Sequence, residues 1–268
     1  MSAAKIVKIL LGCLLFLLLI LPGCFLCGCG DWFKATHERI EDLSTPISPG
    51  VTLSAKTDVG SISVIGSSTA ECSVRATIET EAHTNERAVQ LADQTKVLLN
   101  SIEDVVEVKI EKPRLSKGEG VSVDLRIETP QEIHLDCATD VGNVRISDTT
   151  GKIKARSDVG KIICTNVSSQ LQLQTDVGDI RVKCLDSTAE PCKIDISTDV
   201  GGITFDGPAN LSAIVNASTG VGSIKTNMPI SITGKIGRDV VSSSIAGTVG
   251  DGQGSLKLKT GVGSITIR

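Results

Sequence analysis

Residues 135–182 read LDCATDVGNVRISDTTGKIKARSDVGKIICTNVSSQLQLQTDVGDIRV, and one short phrase, T/S-D-V-G, occurs in them three times, ending at Gly142, Gly160 and Gly178. Those glycines stand 18 residues apart. Working outward, TDVG also ends at Gly60 and Gly201, and TGVG ends at Gly222 and Gly263. Gly201 and Gly222 follow their predecessors after 23 and 21 residues. A recurrence near 20 residues marks an array in which each repeat is one supersecondary unit stacked on the next.

Counted from the glycine, position −7 carries Leu53, Leu135, Ile153, Leu171, Ile194, Val215 and Leu256. Position −5 carries Ala55, Cys137, Ala155, Leu173, Ile196, Ala217 and Leu258, and position −1 is always valine. Apolar residues at −7, −5 and −1 with a small Thr or Ser at −3 give the period-two alternation of a strand with one buried face. After the glycine the apolar positions become +2 (Ile62, Val144, Ile162, Ile180, Ile203, Ile224, Ile265) and +4, so the parity changes. A bend must intervene, and glycine suits it because it accepts positive φ and close backbone approach. The predicted class is all-β: a parallel β-solenoid, or β-helix, of about eight coils stacked in chain order, with the valine and isoleucine files pointing inward. Each coil is strand, glycine corner, strand and a polar return loop such as 147–151 or 186–191. A core this thin has little room for rings, in keeping with four Phe, one Trp and no Tyr.

Position −2 is Asp58, Asp140, Asp158, Asp176 and Asp199, then Gly220 and Gly261. Asp in a turn commonly accepts hydrogen bonds from nearby backbone N–H groups. Bare charges stacked about 4.8 Å apart repel by roughly 0.9 kcal/mol even in water. The ladder therefore needs donors, neighbouring cations or a bound ion, and Lys56, Arg156, Arg145 and Arg181 lie near enough in sequence to contribute. Calcium binding and paired-acid glycan cleavage are the sharper readings of such acids. The same residue at the same place in five repeats points instead to a structural duty, whereas catalysis needs one special constellation. Gly60, Gly142, Gly160, Gly178, Gly201, Gly222 and Gly263 with the five aspartates are therefore read as a structural turn ladder, and no catalytic, cofactor-binding or metal-ligating residue is assigned.

Outside the repeat, Lys5 and Lys8 precede an apolar run over residues 9–21, the pattern of a targeting segment. Residues 1–30 are expected to be either a lipoprotein signal, with Cys24 or Cys29 as the lipidated residue, or an uncleaved transmembrane helix over residues 6–26. Simple secretion is the third reading; all three place the rest outside the cytoplasm, and either anchor places it on the extracytoplasmic face of the cell envelope. Residues 31–46 read as a polar linker and 47–268 as the repeat domain. Residues 70–130 form a strand–helix–strand insert, with a helix over 84–100, Thr84 as its N-cap and strands at 71–81, 105–111 and 121–129. Residues 230–246 read as one degenerate coil.

His37, His83 and His134 do not converge in sequence, and no GxSxG, HExxH or Walker A pattern appears. Of nine cysteines, Cys137 and Cys164 fall on inward positions and act as small hydrophobes. Cys184 and Cys192 flank the loop where the period swells, where a disulfide would fit an oxidising compartment. Cys72 has no evident partner. A net charge of −4 with both signs interspersed excludes a basic stripe for nucleic acid.

The order of parts resembles that of the bacterial putative-adhesin family of β-strand-repeat envelope proteins. It consists of an N-terminal membrane segment, an early coil, the strand–helix–strand insert, a strand ending in Thr129-Pro130, serial T-x-x-G-x-I coils and a terminal LKLKTGVGSITI. The resemblance covers about residues 47–268. It implies a non-enzymatic envelope protein serving as adhesin or binding scaffold, with a glycan or another envelope protein as ligand. An accessory of envelope-stress signalling and a parallel β-helix carbohydrate-active enzyme are the alternative readings. The chain departs from the family in using DVG at its corners and in its many cysteines.

Overall fold

The computed structural model describes residues 34–168, 170–185, 191–232, 237–238 and 242–268. The expected anchor, residues 1–30 with Cys24 and Cys29, lies outside them. The chain starts with β1 (Ala35–Pro46), then β2 (Thr52–Val59) and β3 (Ile62–Ser67), which meet at Gly60. Next come β4 (Glu71–Ala82), α1 (Asn85–Gln94), β5 (Lys96–Ile102), β6 (Val105–Glu111) and β7 (Gly120–Pro130). Two-strand units follow: β8 (His134–Val141) with β9 (Val144–Thr149), β10 (Ile153–Val159) with β11 (Ile162–Val167), and β12 (Gln170–Val177) with β13 (Ile180–Cys184). The series continues with β14 (Lys193–Val200) and β15 (Ile203–Asp206), then β16 (Ala213–Val221) and β17 (Ile224–Thr226). Short strands β18 (Ser231–Ile232) and β19 (Gly237–Arg238) and the longer β20 (Ser243–Val249) lead to the last unit, β21 (Gly254–Val262) and β22 (Ile265–Ile267).

Among the described residues the architecture is all-β with one helix. The strands form two large mixed sheets that do not close into a barrel. One sheet of ten strands runs β1-β4-β7-β3-β9-β11-β13-β15-β22-β17, and the other, of twelve, runs β18-β20-β16-β21-β14-β12-β10-β8-β2-β6-β5 with β19 on β20. Pairing is parallel through the repeats; it is antiparallel at the β1-β4-β7 end of the first sheet and at both ends of the second, while β17 closes the first sheet in parallel pairing with β22. Equivalent repeat positions are direct neighbours, Ile153 lying beside both Leu135 and Leu171, so alignment in sequence is alignment in space. The −7, −5, +2 and +4 residues of the two sheets face one another and form the buried core, apart from Ile224 and Thr226 of the edge strand β17, which are partly buried.

The corners explain the motif. A Cβ built on Gly142, Gly160, Gly178, Gly201, Gly263 or Gly222 would overlap the carbonyl oxygen of the glycine one layer back: Gly60, Gly142, Gly160, Gly178, Gly201 and Gly263 respectively. That same oxygen accepts the hydroxyl at −3: Thr139 to Gly60 (2.8 Å), Ser157 to Gly142 (2.9 Å), Thr175 to Gly160 (3.0 Å) and Thr198 to Gly178 (3.0 Å). Thr260 to Gly201 and Thr219 to Gly263, both 2.8 Å, complete the series. In the opposite sense each glycine N–H donates to the next valine carbonyl, as Gly160 does to Val177 at 2.9 Å. Thr or Ser is needed for its hydroxyl, and Gly for the close approach.

Several expectations are corrected. The valines before the glycines do form one file, but it faces outward: Val59, Val141, Val159, Val177, Val200, Val221 and Val262 are 43–50% exposed. Burying the −3 hydroxyl against a carbonyl keeps −7, −5 and −3 on one face, and the chain then turns so that −2 and −1 both meet solvent. Stacking does not follow chain order, because the last unit, β21 and β22, lies between β14–β15 and β16–β17. The described residues within 230–246 give no further unit of this kind: β18 and β20 pair antiparallel. The sheets are mixed rather than wholly parallel, as the antiparallel ends require. Instead of a linker, residues 35–46 make a twelve-residue strand on β4, whose polar, half-buried face gives no apolar alternation.

The helix is shorter than its apolar spacing suggests. It ends at Gln94, and residues 96–102 become β5, antiparallel to β6. Thr84 is its N-cap, accepting from the Arg87 N–H at 3.2 Å. At the other end Arg39 of β1 donates to the Ala92 and Thr95 carbonyls, placing a cation where the helix dipole favours one. Beyond β2 and β3 the insert supplies a layer of its own, β6 and β7, in parallel register with them. Arg87 holds Glu119 through two hydrogen bonds of 2.7 and 3.1 Å, and Glu119 also accepts the Ser116 N–H.

Thr175→Val keeps shape but removes the donor to the Gly160 carbonyl, and is expected to cost about 1 kcal/mol by denaturant titration. Gly160→Ala meets the Gly142 carbonyl directly and should cost several times more; equal effects would contradict the corner geometry. The Arg87 hydrogen bond, aided by the Ser116 N–H, lowers the Glu119 carboxyl from 4.5 to about 2. Its stabilising effect is therefore complete above the unfolded value and is lost as pH falls towards about 2. Glu119→Gln should reduce the acid-limb slope of melting temperature against pH, and leave neutral-pH behaviour less changed than Arg87→Ala does.

Candidate binding face

Because neighbouring strands are locked in register, outward side chains of the ten-stranded sheet fall into transverse rows. One row runs Asp42, Arg75, Arg126, Ser63, Arg145, Ile163, Arg181, Thr204, Thr266, Lys225, one residue from each strand. The flanking residues on those strands, such as Leu125 and Ile127 around Arg126, are buried, so the row stands on the outer face. Arg75 grips Asp42 through contacts of 2.8 and 3.2 Å. That hydrogen bond holds the Asp42 carboxyl below its ordinary value and the guanidinium above its own.

Arg75 and Arg126 lie directly opposite each other on antiparallel strands, an arrangement that repels. Arg126 and Arg145 are exposed, and among the described residues no carboxylate pairs with either. Arg181 reaches Asp179 only at 3.9 Å. Beside Arg75 and Arg126 opens a groove of about 640 Å³, walled by Asp42, Ser44, Ile65, Ser73 and Glu128.

The twelve-stranded sheet presents a different outer face. A groove of about 630 Å³ crosses it among Lys152, Lys154, Lys193, Asp136, Asp195 and Gln172. There the signs alternate and pair: Asp136 lies 3.7 Å from Lys56 and 3.9 Å from Lys154. His134 accepts the Lys152 N–H through Nδ1 at 3.0 Å, so this ring serves the backbone of the next layer.

The glycines of the expected turn ladder occupy the corners described above. The five aspartates stand outward at the same corners, and none accepts a backbone N–H among the described residues. Asp58 pairs with Lys112 at 3.1 Å, and Arg156 spans Asp158 at 3.0 Å and Asp176 at 3.7 Å. The backbone-accepting role falls to other residues: Asp124 takes the Ser61 N–H (2.6 Å), Asn143 that of Lys161 (3.0 Å) and Asp179 that of Gly202 (3.0 Å). Among the described residues no group of three or more His, Cys, Asp or Glu is placed to hold a metal ion. The arginine row went unread in the sequence because half of it sits in the insert. Its signal is an Arg directly after the buried residue at the repeat's +2 level: Val144-Arg145 and Ile180-Arg181, which open their strands, and Leu125-Arg126 of β7, aligned with Ile62.

No family model and no curated protein matches the chain. Among solved structures it is similar to a putative cell adhesion protein from Clostridium sporogenes at 16% identity and TM-score 0.44, over 85% of this chain and 99% of that one. A putative adhesin from Bacteroides fragilis is similar at 14% identity and TM-score 0.36, over 86% and 97%. A putative lipid binding protein from Parabacteroides distasonis stands at 11% and 0.30, over 86% and 97%.

Cys184 and Cys192, read in the sequence as a disulfide pair, are both free buried thiols, as are Cys72, Cys137 and Cys164. Burial raises Cys72 to about 11 and both Cys137 and Cys184 to about 12. Since the thiolate is the reactive form, alkylation of the folded protein at pH 8 should leave these five unmodified by peptide mass spectrometry, and denaturant should expose all of them. A Cys184–Cys192 linked peptide would overturn the free-thiol assignment.

Proposed function

We propose that the stacked strand units form a solenoid-like rod, held on the extracytoplasmic side of a membrane by residues 1–30, and that the rod is a non-enzymatic adhesin or binding scaffold. The observation that carries this reading is the stitched corner. Two hydrogen bonds join successive corners in opposite directions, so outward residues stand in fixed rows at strand spacing over the whole face. A surface ordered before contact loses little side-chain freedom on binding. Repetition along a rod also suits a ligand that is itself repetitive, because successive contacts become intramolecular. A glycan or another envelope protein of the same cell surface fits both features.

The full-length chain, purified in detergent, is expected to show saturable binding on an array of bacterial and host glycans or to isolated envelope proteins. Beads coated with it should adhere to surfaces bearing that ligand. Absence of saturable binding in both panels, with the protein folded by melting curve, would defeat the scaffold reading.

A further inference from the structure

We propose that the arginine row on the ten-stranded sheet is a track for a linear acidic polysaccharide carrying a carboxylate or sulfate on every second sugar. This rests on the scaffold reading above and adds the ligand class. The first argument is spacing. Arg126 and Arg145 are separated by two strand intervals through β3, and Arg145 and Arg181 by two more through β11. Two intervals amount to about 9.6 Å, the length scale of the disaccharide repeat in an extended glycan. The second argument is availability. Arg126 and Arg145 lack ion-pair partners among the described residues: Asp42 engages Arg75, opposite Arg126 across the strands, and leaves the Arg126 guanidinium open to an oxyanion.

Short side chains fill the intervening places. Ser63 and Ile163 are partly buried between the long arginines, leaving troughs where a hydroxyl can meet sugar hydroxyls and a branched alkyl group can meet a sugar's C–H face. Guanidinium groups suit planar or tetrahedral oxyanions through paired N–H bonds. Acids border the row, Asp124 and Asp179 on one side and Glu128 on the other. They admit one thin anionic chain and repel a broad anionic surface such as a membrane. The row contains no aromatic ring on which a nucleic-acid base could stack.

The test uses the full-length chain and four polymers: hyaluronate, with a carboxylate on every second sugar; kappa-carrageenan, with a sulfate on every second sugar and no carboxylate; polygalacturonate, charged on every sugar; and neutral dextran. Hyaluronate or kappa-carrageenan should bind most tightly, with affinity falling as salt rises, and whichever is preferred identifies the oxyanion. Arg126→Gln with Arg145→Gln should weaken that binding about tenfold or more. The Arg126→Lys, Arg145→Lys pair, which keeps charge but not the fork, should fall between, and Arg156→Gln on the other sheet should bind as the parent does. Melting curves confirm that each variant is folded, and the lysine pair carries the test should the glutamine pair not be. Unchanged binding by the folded double variant, or tighter binding of polygalacturonate or dextran than of both alternating polymers, would overturn the proposal. Capture of an isolated envelope protein without any acidic polymer would remove the track and leave the scaffold reading; no ligand in any panel would remove both.

Discussion

The corner is held by one oxygen with two obligations. The carbonyl of each glycine accepts a threonine or serine hydroxyl from the next layer, and it lies so close that the next layer's corner has no space for a side chain. A single such bond contributes only about 1 kcal/mol. Its larger effect is on register, since sliding one strand by one residue would turn its buried file to solvent and bring its charged file inward. With the bond repeated at every layer, no unit can slip without loss at the corner and in the core together. The rows of outward side chains, and with them the arginine track, follow from that restriction.

Much of the interior was legible from the amino acids. The −7, −5, +2 and +4 files lie in the core, Thr84 caps the helix, and Val105–Glu111 is a strand with the expected limits. The exposed valines were not legible, because in a period-two pattern apolar character at −1 reads as inward. Only the hydrogen bond made by the −3 hydroxyl shows that the chain turns earlier. Nor was β1, whose partly buried residues include His37, Arg39, Glu41 and Thr45. Its place is fixed by backbone pairing to β4, and such pairing leaves no mark in hydropathy. The free thiols of Cys184 and Cys192 likewise depend on burial, which proximity in sequence cannot report.

The two ends of the sheets meet a common hazard in different ways. A parallel edge left open would offer unpaired N–H and C=O groups to any other strand. At one end β1, β4 and β5 turn the pairing antiparallel, and α1 rests on β1 and β4 with Arg39 closing its last turn. At the other, β20 lies antiparallel on β16 and carries β18 and β19 in turn. The ten-stranded sheet ends beyond β22 on β17, a parallel strand of three residues, too short to template a further one.

The position of β21 and β22 bears on how the molecule is assembled. Residues 254–267 leave the ribosome after 213–226, yet they occupy the slot between those residues and 193–206. While that slot is vacant, β16 matches β14 in every feature the corner requires, down to the threonine, the valine and the glycine. A nascent chain could close the gap prematurely, one storey short, and would then have to reopen it for the late arrival. Only when this wedge enters do both neighbours gain their full complement of bonds.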